Sequence, residues 1–172
     1  MRKRILILGN GGSGKSTLAN KLKKKNKLPV LHLDSIYWEN GFKHANRKLF
    51  LKSAADFCEK QAWVIEGTPM PGIETRIAMA DTIVLLDVSS LTCLFRVIRR
   101  SLYHLLHHKP DLTGCPAITL NWKTVSWIAS FNRKIRPKLM EAIKKNKHAE
   151  LIRLRKNRDI VCFINQLSGG DG

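Results

Sequence analysis

Short apolar runs alternate along this chain with longer segments whose apolar positions recur every three or four residues. Arg4 to Leu8 reads as a first strand, built on Ile5, Leu6, Ile7 and Leu8. A helix runs from the segment after it to about Lys25, until Asn26-Lys27-Leu28-Pro29 breaks it. Val30-Leu31-His32-Leu33 is a short second strand ending at Asp34. From Asn46 to about Lys60 the pattern is helical, with Leu49, Phe50, Ala54 and Phe57 on one face. Ala62-Trp63-Val64-Ile65 is a third strand ending at Glu66-Gly67, and Ile73 to Met79 forms a turn or two of helix. Thr82 to Leu86 is a fourth strand ending at Asp87, followed by a long helix from Leu91 to Leu106. Lys109 to Pro116 carries Pro110, Gly114 and Pro116 and reads as loop. Trp122 to Phe131 and Lys138 to Lys145 are helical, with Pro137 as a boundary. Leu151 to Leu154 is a fifth strand, Asp159 to Gln166 a terminal helix, and Ser168 to Gly172 a fraying tail. This alternation predicts an α/β fold with a parallel sheet and helices on both faces.

The length of 172 residues and the 44% hydrophobic content suit one domain, 1–172, with a real core. No apolar run approaches the roughly 20 residues that cross a bilayer. The basic start, Met1-Arg2-Lys3-Arg4, precedes only four apolar residues and is not a secretory signal. Cys58, Cys93, Cys115 and Cys162 show no paired spacing, which suits a reduced, cytoplasmic protein. Lys and Arg number 31 against 13 Asp and Glu, a formal charge of +18. Such a field attracts nucleotides, phosphorylated metabolites or, non-specifically, nucleic acid. Part of it is solvated surface, as in Lys21, Lys23, Lys24, Lys25 and Lys27.

The chemistry begins directly after the first strand. Gly9-Asn10-Gly11-Gly12-Ser13-Gly14-Lys15-Ser16 is a G-x-x-x-x-G-K-[ST] segment between a strand and a helix, the context that the phosphate-binding P-loop requires. Gly9, Gly11, Gly12 and Gly14 let the backbone curl so that successive N–H groups, including that of Ser13, face phosphate oxygens. The helix that opens at Lys15-Ser16-Thr17 adds its partial positive charge. Lys15 reaches the β- and γ-phosphates of a nucleotide and Ser16 is a Mg²⁺ ligand. Ligands of open parallel sheets bind at the carboxyl ends of the strands. Asp34, Glu66 and Asp87 all stand there, so each is expected to face the crevice that holds the P-loop.

Together, Ile5 to Thr17, His32-Leu33-Asp34, Trp63 to Gly67, Ala80 to Asp87, and Lys109-Pro110-Asp111 before Gly114-Cys115-Pro116 resemble the bacterial topology modulation protein family. Its members are adenylate-kinase-like P-loop proteins, and the likeness covers nearly the whole chain. The resemblance implies a three-layer P-loop fold with a five-stranded parallel sheet in the order 2-3-1-4-5 and a helical lid over about 103–132. It places Glu66 where related kinases carry the Asp that holds a Mg²⁺-bound water. It makes Asp34 the residue that orients an acceptor hydroxyl, with Arg76 a candidate for an anionic acceptor. It assigns Arg96 and Arg100 to the way into the lid and Arg133 and Arg136 to the way out, where guanidinium groups clamp transferring phosphate. It sets Arg155 or Arg158 against the adenine.

Each assignment has a plainer alternative. Glu66 and Asp34 also suit caps of the turns that follow them, Asp87 is better read as the cap of the long helix, and any one arginine suits a solvated basic face. His104, His107, His108 and Cys115 are candidate zinc ligands in the lid, but their spacing is not a standard one. The reading favoured is an ATP- and Mg²⁺-dependent kinase of an unidentified small molecule. The alternatives are a nucleic-acid-associated NTPase linked to DNA topology, or nucleotide binding without catalysis. No helix-turn-helix, zinc finger or RNP pattern supports specific nucleic-acid recognition.

Overall fold

A computed structural model of the chain describes residues 3–39, 43–107, 122–146 and 148–166. Its centre is a parallel sheet of five strands: β1 (Arg4–Gly9), β2 (Val30–His32), β5 (Trp63–Glu66), β6 (Thr82–Leu86) and β7 (Glu150–Leu154). The spatial order is β2-β5-β1-β6-β7, which in terms of sheet strands is the expected 2-3-1-4-5. Strand β1 lies between β5 and β6, with Ile7 opposite Glu66 on one side and Gly9 opposite Leu86 on the other.

The apolar runs are continuous because helices cover both faces of these strands. Ile5 and Ile7 pack with Leu18, Ala19 and Leu22 of α1 (Lys15–Asn26) and Phe163 of α8 (Asn157–Gln166). Leu6 and Leu8 face the opposite way. They meet Phe50 and Ala54 of α3 (Arg47–Cys58), Ile73 and Ile77 of α4 (Ile73–Met79), Phe131 of α6 (Trp122–Lys134) and Leu139 of α7 (Arg136–Lys145). All four β1 side chains are fully buried, each worth about 1.5–3 kcal/mol relative to exposure. Asn46 caps α3, accepting from the amides of Lys48 at 2.9 Å and Leu49 at 3.5 Å.

Two local expectations change. Leu33 does not continue β2 but opens a short helix, α2 (Leu33–Tyr37), so Asp34 lies inside a helix rather than capping one. A two-stranded antiparallel ribbon, β3 (Trp38–Glu39) and β4 (Lys43–His44), follows it. Strands of two residues carry no period that a sequence can display. The long helix is α5 (Ser90–His107). Its cap is Ser89, whose hydroxyl accepts from the Thr92 amide at 3.2 Å; Asp87 is engaged elsewhere. Of the expected lid, about 103–132, residues 108–121 lie outside the described residues.

Candidate functional site

The P-loop leaves β1 at Gly9 and is anchored there by a residue the motif does not contain. Thr68, two residues beyond β5, accepts from the Gly9 amide at 3.2 Å and donates to the Gly9 carbonyl at 2.8 Å. The loop then turns at Gly12, whose φ of +77° belongs to the left-handed region. A Cβ on Gly12 would lie 2.5 Å from the Cys93 carbonyl of α5, so only glycine lets α5 pack this close. Gly14, at φ +101°, faces open space. No side chain caps α1, which leaves the first N–H groups of that helix, around Ser16 and Thr17, free for an anion. Lys15 is nearly buried and donates from Nζ to the Asn10 carbonyl at 2.9 Å. Gly11 packs under Trp127 and Ile128 of α6, and Asn10 Nδ2 donates to the Ile128 carbonyl at 2.9 Å. The loop is thereby tied to α6.

Two of the strand-end carboxylates join this loop. Glu66 is 2% exposed, and its Oε1 lies 2.7 Å from His32 Nδ1. The pairing follows from the sheet, because His32 and Glu66 are partners in the β2–β5 register. Burial alone would raise the Glu66 carboxyl. The bond to His32, the charge of Lys15 and the neighbouring Ser16 hydroxyl outweigh it and hold the group below its ordinary value. Asp34 responds in the opposite sense: burial pushes it up, helped by Glu66, while Lys15 and His32 pull it down only in part. Lys15, Ser16, His32, Asp34 and Glu66 thus form one electrostatic centre.

Asp87 belongs to a different cluster. Its Oδ1 and Oδ2 each accept at 2.8 Å from Nε and Nη2 of Arg136, a two-pronged pair, and Arg155 lies 3.9 Å away. The hydrogen bonds from Arg136 hold the Asp87 carboxyl below its ordinary value. These residues line a pocket of about 340 Å³ together with Val88, Ser89 and Asn132.

The other arginines divide by neighbourhood. Arg96 donates to the Ser13 carbonyl at 3.4 Å and so touches the P-loop directly. Arg100 is half-buried one turn further along α5, with Nη2 lacking a hydrogen-bond partner among the described residues. Arg133 is exposed on α6. Arg158 is exposed beside Asp159 at 3.8 Å. Arg76 is buried, donating to the Pro71 carbonyl at 2.8 Å and to the Pro69 carbonyl, and burial lowers its guanidinium to about 10. It holds the turn before α4 together. His108 and Cys115, and the side chains of His104 and His107, lie outside the described residues.

Sequence reasoning passed over His32, Thr68 and Asn10 as functional positions. His32 carried a signal, since it stands two residues before Asp34 at a strand end. Thr68 and Asn10 act through contacts 59 and 118 residues away, which no local pattern displays.

No protein-family model and no curated protein matches the chain. Among solved structures it is similar to a shikimate kinase from Bacteroides thetaiotaomicron, with a TM-score of 0.58 and 17% identity. The match covers 98% of this chain and 97% of that one. At that identity the likeness shows the fold alone, the five-stranded parallel sheet between layers of helices. Among the described residues no helix is long and apolar enough to cross a membrane.

Proposed function

We propose that this chain is a kinase that transfers the γ-phosphoryl group of ATP to a hydroxyl of a small molecule, with Mg²⁺ as its metal. The observation that carries the reading is the convergence of Lys15, Ser16, Asp34 and Glu66 at the carboxyl edge of β2, β5 and β1. The donor set suits a hard cation. Ser16 supplies a hydroxyl oxygen, and Glu66 Oε2 is a buried carboxylate oxygen with no hydrogen-bond partner among the described residues. Ser16 and Glu66 would hold a Mg²⁺ ion there, which would neutralise charge on the nucleotide phosphates.

The remaining work falls to the chain itself. The P-loop amides and Lys15 bind the phosphates, and Lys15 exchanges its contact with the Asn10 carbonyl for phosphate oxygens. Asp34, whose raised carboxyl suits proton exchange, accepts the hydrogen bond of the attacking hydroxyl and orients it. Arg96, beside Ser13, and Arg100 and Arg133 are the arginines that would meet charge on the transferring group, while Arg136 is committed to Asp87. Arg155 and Arg158 are the side chains offered to the base. The segments shared with the topology modulation protein family support placing the chain in that family.

The test is ADP release from Mg-ATP against a panel of nucleosides, nucleoside monophosphates and hydroxylated metabolites. Strong stimulation by one of them is expected, and Lys15→Ala is expected to abolish it. Full turnover by Lys15→Ala would overturn the reading. The +18 charge favours a second reading, a DNA-stimulated NTPase. Stimulation by duplex DNA alone, persisting at physiological salt, would select it.

A further inference from the structure

The Glu66 carboxylate has a partner that the proposed chemistry does not itself require. His32 ends β2, Glu66 ends β5, and the parallel register sets them side by side. Their side chains meet at 2.7 Å between Nδ1 and Oε1, with His32 18% and Glu66 2% exposed. Oε1 is engaged, while Oε2 is buried with no hydrogen-bond partner among the described residues, in a carboxylate that also feels Ser16 and Lys15. A glutamate has one more rotatable bond than an aspartate, so its carboxylate has more orientations to lose before it can serve a metal. A bond from a neighbouring strand removes that freedom and leaves one defined oxygen.

We propose that His32 is a positioning residue for the metal: donation from Nδ1–H to Oε1 fixes the Glu66 carboxylate so that Oε2 is the oxygen presented toward the Ser16 position. Outer partners of this kind typically govern 10–100-fold in metal affinity. The proposal rests on the kinase reading above, and the two fail differently.

The experiment is titration of a fluorescent N-methylanthraniloyl ATP in Mg²⁺ and again in EDTA, with urea unfolding as the check of folding. For the wild type, Mg²⁺ is expected to tighten binding. His32→Ala is expected to lose about ten-fold in the Mg²⁺ titration while its affinity in EDTA stays within about two-fold. His32→Asn, whose amide N–H can replace Nδ1–H, is expected to restore most of the loss. Glu66→Asp, which cannot reach both neighbours, provides an independent arm with the same selective loss. A His32→Ala or Glu66→Asp protein that keeps the full Mg²⁺ effect overturns the positioning role alone. So does one that weakens equally in Mg²⁺ and EDTA. A wild type whose nucleotide binding ignores Mg²⁺ overturns the kinase reading and this proposal together.

Discussion

Replacing Arg136 by methionine removes the cationic half of the Asp87 pair while keeping most of its apolar stem. Two charge-assisted hydrogen bonds disappear, each 2.8 Å long. Bonds to charged groups contribute about 1.5–3 kcal/mol each when sheltered. The shelter here is uneven, with Arg136 31% and Asp87 12% exposed, and Arg155 stays 3.9 Å from the carboxylate to offset part of the loss. The net expectation is about 2 kcal/mol, a fall of about 4–8 °C in Tm for a chain of this size. Acid removes the difference. The folded Asp87 carboxyl lies below its unfolded value, so its contribution is complete above the unfolded value and lost as pH falls through the folded one. Urea unfolding of wild type and Arg136→Met at neutral pH and at about pH 3 tests both statements, because the gap should shrink in acid. Asp87→Asn closes a double-mutant cycle, with an expected coupling of about 1–2 kcal/mol. A gap below about 0.5 kcal/mol at neutral pH, or one that is unchanged in acid, refutes the reasoning.

Gly12→Ala places a Cβ 2.5 Å from the Cys93 carbonyl at a positive φ, so urea unfolding should show a loss of about 2–4 kcal/mol, and nucleotide titration should show lost binding. Intact binding would mean that the loop does not need this approach. Thr68→Val keeps the shape but removes both bonds to Gly9, for an expected loss of about 1–3 kcal/mol in the same assay, restored by Thr68→Ser. Asp34→Asn should raise stability by about 0.5–2 kcal/mol near neutral pH while turnover falls about 10²–10⁴-fold. The sign follows from a carboxyl raised by burial: its ionised form opposes folding as pH rises, so the gain should vanish in acid, and a neutral-pH loss would contradict it.

The parts legible from the sequence share one property: each is written within a short segment. The central strands are apolar because both faces are buried, so Ile5 to Leu8 and Thr82 to Leu86 announce themselves. The P-loop is a contiguous motif with its own flanking context. What escaped is written across segments. The bond between Asn10 and Ile128 spans 118 residues, and the pair of Asp87 with Arg136 spans 49. Arg76 misled for a related reason. A charge on a helix reads as surface or ligand, but the carbonyls of Pro69 and Pro71 accept from this guanidinium and let it be buried.

Asp34, Glu66 and Asp87 look equivalent along the chain, and strand order is what separates them. Each stands at or just past the carboxyl end of a sheet strand, and the crevice rule treats them alike. β1 carries the P-loop, with β5 and then β2 on one side and β6 and then β7 on the other. Glu66 and Asp34 therefore share the flank on which Lys15 and His32 act on both. Asp87 leaves β6 on the opposite flank, where β7 delivers Arg155 and α7 delivers Arg136. A third carboxylate beside Lys15 would add like charge to a centre in which Asp34 is already raised by Glu66. The topology avoids this by giving the third acid its own cations. One flank gathers two carboxylates around Lys15, and the other uses a carboxylate to tie α7 to the sheet.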